Sequence, residues 1–155
     1  MDGVLIQFGD QPIHDVDIVP LRRIPDHRGT VQHMLKATDP HFLQFGEIYF
    51  STVYRGATKA WKRHRRITLN YACAFGRVKV VLCDTREASP TIGAVMEIFL
   101  GPDNYSLVVI PPGIWSGFAG MSDPLAVLAN CATEPHDPAE IDRLDPATPS
   151  LPYRW

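Results

Sequence analysis

Cysteine is scarce in this chain. Cys73, Cys83 and Cys131 are odd in number and far apart, which argues against a disulfide scaffold or a cysteine-built zinc site. They read as small buried hydrophobes in a reducing, cytoplasmic setting. Long apolar runs are missing too. No stretch approaches the roughly 20 residues of a membrane helix, so no membrane partner is expected. The opening MDGVLIQFGD lacks the basic start and apolar stretch of a signal peptide. The formal net charge is only -2, so bulk charge draws in no polyanion, and an anionic ligand must be met by a local cluster. A helical apolar stripe is absent before residue 135.

Short β-rich runs fill the chain instead. Candidate strands are Val4 to Phe8, Thr30 to Leu35, Glu47 to Tyr54, Ile67 to Phe75, Val78 to Cys83, Val95 to Leu100, Ser106 to Ile110 and Ala126 to Cys131. Turn chemistry separates them at Asp26-His27-Arg28-Gly29, Gly101-Pro102-Asp103-Asn104 and Pro111-Pro112-Gly113, and Gly76-Arg77 is placed as a tight hairpin would be. Many short strands predict an all-β sandwich or barrel. Its 155 residues make one domain, 1–155, with a core over about 25–131. Asp137-Pro138-Ala139-Glu140 supplies a cap, a proline and a glutamate in the order that starts a short helix. The proline-bearing tail, 135–155, is expected to wrap the surface in extended form.

The segment Lys59 to Arg66, KAWKRHRR, is the one strongly basic stretch. Taken as strand, alternation divides its charges. Lys62, His64, Arg66, Thr68 and Asn70 share a polar face. Arg63, Arg65, Ile67, Leu69, Tyr71, Cys73 and Phe75 share a face that turns apolar, suited to core or a subunit interface. A polar row inside a small barrel is a binding pocket by default.

The spacing around this segment resembles the first cupin motif, in which a glycine precedes His-x-His, an acidic residue and a second glycine. Gly56 leads, Lys62 and His64 take the histidine positions, Leu69 the acidic one, and Gly76 closes. Pro111-Pro112-Gly113-Ile114-Trp115-Ser116 resembles the second motif, with Ser116 in place of its histidine. Of four family metal positions only His64 remains, so no metal and no other cofactor is expected. The fold class implied is a cupin jelly-roll barrel with a short C-terminal helix and an extended tail.

Within the cupins the chain resembles the dTDP-4-dehydrorhamnose 3,5-epimerase family, metal-free dimers that act on nucleotide sugars. The resemblance runs from about Pro25 to Cys131. It is carried by Asp26-His27-Arg28-Gly29, Tyr54-Arg55-Gly56, Asp84-Thr85-Arg86 with Ser89-Pro90-Thr91-x-Gly93, Asn104-Tyr105, and Ile110-Pro111-Pro112-Gly113 with Gly117-Phe118. It implies a cytoplasmic homodimer that takes a nucleotide-diphosphate sugar and moves a proton beside a 4-ketone, in polysaccharide or deoxysugar biosynthesis. The family's catalytic histidine falls on Lys62. Its catalytic tyrosine lies just past a run corresponding to Ala129-Asn130-Cys131, and Ala132-Thr133-Glu134 offers none.

The remaining groups set the expected chemistry. Enolisation needs a base, an acid on the other face and a partner for the enolate. His64 is the expected base, since its ordinary pKa suits proton transfer near neutrality. Lys62 would donate to the enolate oxygen and Tyr49 would be the acid. The resemblance implies that Arg28 and Lys59 hold the diphosphate and that Glu47 contacts the nucleotide base. Arg66, Asn70, Trp115 and Ser116 complete the expected binding set, with Trp115 equally open to a core role. Asp84 and Arg86 read as a structural turn pair, and His14, His27, His33 and His41 as surface. The alternatives are a sugar-nucleotide-binding cupin that has lost catalysis, a metal-dependent oxygenase disfavoured by the lost ligands, and a nucleic-acid binder using Arg63, Arg65 and Arg77. The pocket favours the sugar nucleotide, with no nucleic acid partner.

Overall fold

The computed structural model describes residues 4–8, as a strand only, and 12–155. The strands, in chain order, are β1 (Val4–Phe8), β2 (Asp17–Pro20), β3 (Arg23–Asp26), β4 (Gly29–Gln32), β5 (Glu47–Tyr54), β6 (Thr58–His64), β7 (Leu69–Phe75), β8 (Val78–Asp84), β9 (Val95–Leu100), β10 (Ser106–Ile110), β11 (Ile114–Gly120), β12 (Leu125–Ala132) and β13 (Ile141–Arg143). A six-stranded sheet, β1-β9-β8-β11-β6-β13, faces a five-stranded sheet, β2-β10-β7-β12-β5, and β3-β4 forms a separate hairpin. The strand pattern predicts an all-β sandwich or barrel, and the structure is the jelly roll that the cupin resemblance implies.

Inward-facing apolar residues fill the barrel at period two. Val78, Val80 and Leu82 of β8 and Met96, Ile98 and Leu100 of β9 meet Leu69, Tyr71 and Cys73 of β7 and Val108 and Ile110 of β10. The sheets are covered outside as well. Tyr105, Leu107 and Val109 lie under Val19, Leu21, Met34 and Leu35. Leu151 and Tyr153 of the tail pack on Trp61, Val81, Cys83, Val95 and Trp115. Strands buried on both faces usually read as continuous apolar runs, but in β11 Ser116, Gly117 and Gly120 break the run, so it carries a weak strand signal.

Four expectations are corrected. The C-terminal helix is a single 3-10 turn, Pro138–Glu140. Asp137 caps it by accepting from Ala139 N, but Glu140 turns into the barrel end and Ile141 already pairs with His64 of β6, so the helix cannot continue. Gly76-Arg77 is not a hairpin, because β7 and β8 belong to opposite sheets. Gly76 has φ +74°, and a Cβ there would stand 2.4 Å from Ser122 Oγ. The run from Lys62 to Phe75 is not one strand: it bends over Arg65–Thr68 between β6 and β7. Of the histidines read as surface, His14, His27 and His33 are exposed, whereas His41 is half-buried beside Asp39.

The turn that carries much of the resemblance is built from short-range bonds. Asp84 is buried and accepts from Arg86 Nε (2.9 Å), Ser89 Oγ (2.6 Å) and Thr91 Oγ1 (2.7 Å). Burial opposes its charge, but these donors prevail and hold the carboxyl far below the usual range. The pair is structural, as its position in a turn suggests.

Candidate active site

A cavity of about 290 Å³ opens between the two sheets. Its walls differ in chemistry. The six-stranded sheet supplies the cations Lys59 and Lys62 from β6 and Arg143 from β13. The five-stranded sheet supplies Tyr49 and Ser51 from β5, Tyr71 from β7 and Asn130 from β12. Ala60, Phe118 and Leu128 form apolar wall between them. Of the lining side chains none is a carboxylate, histidine or thiol.

The polar groups hold one another in place. Lys59 Nζ donates to Ser51 Oγ across the cavity at 2.9 Å. Asn130 Nδ2 donates to the Tyr49 hydroxyl at 2.9 Å, and Asn130 is fixed in turn by Asn70 N, which donates to its Oδ1 at 3.1 Å. Tyr71 meets Phe118 edge-on, ring centroids 6.1 Å apart. Burial pushes the Tyr71 phenol well above its ordinary range, Tyr49 adds to that, and a hydrogen bond with Ser116 offsets part of it. Lys62 has no hydrogen-bond partner for its Nζ among the described residues. Burial lowers its pKa, and Arg143 and Lys59 lower it further.

His64 stands apart from this cavity. Its Nδ1 pairs with Glu140 Oε1 in a buried contact, and its Nε2 is sealed from solvent without a partner. Burial lowers its pKa, Glu140 opposes this, and Lys62 and Arg143 act with burial. Glu140 Oε2 also accepts from the amides of Arg65, Arg66 and Ile67 at 3.0, 3.0 and 3.3 Å. The His64–Glu140 pair therefore closes the barrel end and shapes the bend between β6 and β7.

Of the expected site residues, Tyr49, Lys59 and Lys62 come together in the cavity. Ser116 lies opposite Lys62 in the β11–β6 register, buried beside it. The others lie elsewhere. Asn70 faces away from Tyr71 on β7 and donates to Cys131 O at 2.9 Å. Trp115 is on the outer face, under the Arg63 guanidinium at 4.6 Å. Arg66 is paired with Glu134 and Asp137 at 3.0 and 3.3 Å. Glu47 accepts from His136 N at 3.0 Å. Arg28 is exposed on the β3-β4 hairpin and paired with Asp26 at 2.8 Å. The bend after His64 explains the displacement of Arg66 and Asn70, because alternation does not carry across it; Trp115 precedes Ser116 on β11 and so faces the other way.

Sequence reasoning missed Ser51, Tyr71, Asn130, Arg143 and Glu140. Ser51 is two residues from Tyr49 on one strand and was within reach of alternation. Arg143 and Glu140 carry no local signal, since only the return of the tail along β6 brings them to the barrel.

The comparisons with known proteins agree with this geometry. The family model for dTDP-4-dehydrorhamnose 3,5-epimerase matches residues 10–155. A crystal structure of a dTDP sugar isomerase from Desulfovibrio desulfuricans superposes with a TM-score of 0.90 at 45% identity, over 92% of each chain. A probable low-salt glycan biosynthesis epimerase, Agl13, from Haloferax volcanii is 31% identical over 91% of this chain and 88% of its own. The spore coat polysaccharide biosynthesis protein SpsL of Bacillus subtilis is 27% identical over 84% of this chain and 86% of its own. With its two-sheet barrel and its central cavity, the chain belongs to the dTDP-4-dehydrorhamnose 3,5-epimerase family.

Proposed function

We propose that this protein is an isomerase of nucleotide-diphosphate sugars that moves a proton on the carbon beside a 4-ketone, in polysaccharide or deoxysugar biosynthesis. The observation that carries this reading is the division of the cavity, with amines and a guanidinium on one wall and phenols on the other. Inversion at carbon needs proton removal on one face and return on the opposite face. Lys62 is the base: as the neutral amine it takes the proton, which its depressed pKa favours. Arg143 and Lys59 hold the negative charge of the diphosphate and of the developing enolate. Tyr49 returns the proton. Its phenol is held by Asn130, so β5 supplies the hydroxyl that β12 lacks. His64 serves the frame of the site through Glu140 rather than the chemistry.

The reading extends to a homodimer. β5 is the edge of the five-stranded sheet and leaves Ile48, Phe50 and Tyr54 exposed at 50%, 63% and 69%, a combination that a second copy would cover. Arg28, exposed on its own hairpin, would meet ligand only through such a neighbour. The three free cysteines support a cytoplasmic site of action. No helix among the described residues is long and apolar enough to cross a membrane.

The test has two arms. Nucleoside diphosphates should raise the melting temperature by mass action, and a dTDP-4-keto-6-deoxy sugar should acquire solvent deuterium beside its ketone. Binding without deuterium incorporation assigns the chain to the non-catalytic alternative, which the replacement of the family's histidine by Lys62 favours. Silence in both arms refutes the nucleotide-sugar reading.

A further inference from the structure

Between Lys59 and Lys62 the pairing of β6 with β11 slips. Ser116 stands opposite Lys62, but Phe118 stands opposite Lys59. Ala60 and Trp61 therefore oppose Gly117 alone, which is a β-bulge. In an unbroken strand, residues three apart point to opposite faces. The extra residue returns Lys59 and Lys62 to one face, and both line the cavity.

The C-terminal tail packs against this bulge. A Cβ at Gly117 would stand 2.6 Å from Ala60 Cβ and 2.8 Å from Trp155 Cζ2, so the bulge and the Trp155 ring approach the same bare glycine. Trp61 is buried on the outer face, its ring 5.2 Å from Trp155 and 6.0 Å from Tyr153. Tyr153 OH donates to Glu97 Oε1 at 2.5 Å. Lys79 lies over the Tyr153 and Trp155 rings at 5.4 and 5.3 Å. Trp61 and Leu144 exchange backbone hydrogen bonds of 2.9 and 3.2 Å, which ties the start of the tail to the same point.

We infer that Tyr153 and Trp155 are positioning residues, a clamp that fixes the Ala60–Trp61 bulge and so keeps Lys59 and Lys62 facing the cavity. Without the rings, β6 is free to take a regular register, and a shift of one residue turns one of the two lysines outward. The role of the clamp in turnover rests on the isomerase reading. The placement of Lys62 does not, and is measurable without substrate.

The experiment compares the parent with Trp155→Ala and Trp155→Phe in the full chain. Lysines are reductively methylated with 13C, and the Lys62 signal, assigned by its loss in Lys62→Arg, is titrated by NMR. Deuterium incorporation into a dTDP-4-keto-6-deoxy sugar is measured on unmodified protein. In Trp155→Ala the Lys62 signal is expected to titrate closer to an ordinary exposed lysine. Its turnover number is expected to fall about 10²-fold, the scale of a misplaced catalytic group. Trp155→Phe, which keeps a ring, restores both. If Trp155→Ala does not fold, Trp155→Leu takes its place with the same expectations. An unchanged Lys62 titration in the folded variant overturns the clamp, as does equal turnover in the variant and a parent that is active. A shifted Lys62 titration in a protein whose parent shows no exchange supports the clamp while refuting the isomerase reading.

Discussion

Replacing Lys62 by methionine is expected to abolish turnover while making the protein more stable. The amine is substantially buried, lies beside Arg143 and Lys59, and has no carboxylate to pair with in the cavity. At neutral pH the folded state carries that cation at a cost. Removing an unpaired cation that two neighbouring cations repel is a charge-optimising substitution, a class that commonly adds about 0.5–2 kcal/mol, a rise of roughly 1–8 °C in melting temperature for a chain of this size.

The pH dependence has a definite sign. Below the folded-state pKa, Lys62 is charged in both states and the penalty is complete. Between that value and the ordinary 10.5, the unfolded chain binds a proton that the folded one does not, so parent stability rises with pH and the advantage of Lys62→Met shrinks. Turnover of the parent rises over the same lower limb, as neutral amine forms. A general base contributes about 10²–10⁴ in rate, so deuterium incorporation by the variant should fall by that factor. The assays are thermal melts across alkaline pH and deuterium exchange at neutral pH. Exchange within about tenfold of the parent would refute the base assignment, set against the loss a general base implies. A lower melting temperature would refute the claim that the amine is unpaired.

Tyr49→Phe is expected to retain exchange at the carbon but to lose inverted product by about 10²-fold, read by NMR of the sugar; equal loss of both would make Tyr49 part of proton removal. Glu140→Gln leaves three backbone amides and His64 with a weaker acceptor and is expected to cost about 1–3 kcal/mol, seen as a lower melting temperature with mass and fold otherwise intact. Asp84→Asn breaks the hydrogen-bonded pair with Arg86 and is expected to cost about 3–5 kcal/mol. The Asp84 carboxyl is held far below its ordinary 3.8, so its contribution is complete above that value and fades as the medium is acidified below it. The variant should therefore lose less stability than the parent between pH 5 and pH 2.5, measured by acid melts.

The sequence alone determined the fold class and the family, because the signals for both are local. Short runs rich in Val, Ile and Leu mark β8, β9 and β10, since strand propensity is a property of a few consecutive residues. The Asp84-Arg86-Ser89-Thr91 network closes within eight residues, so its motif is legible without knowing what surrounds it. The composition of the cavity was decided by the tertiary structure. Parity along a strand assigns a face only while the strand is regular, and here two interruptions reset the count. The bulge at Ala60–Trp61 puts Lys59 on the same face as Lys62. The bend at Arg65–Thr68 moves Asn70 and Arg66 out of the row that Lys62 begins. His64 keeps its face but meets Glu140, 76 residues away, and Arg143 reaches the cavity because the tail returns along β6. Those contacts depend on long-range pairing that burial and register select, and no window of sequence contains them. The basic segment thus announced a pocket, while the fold chose Lys62 rather than His64 to face it.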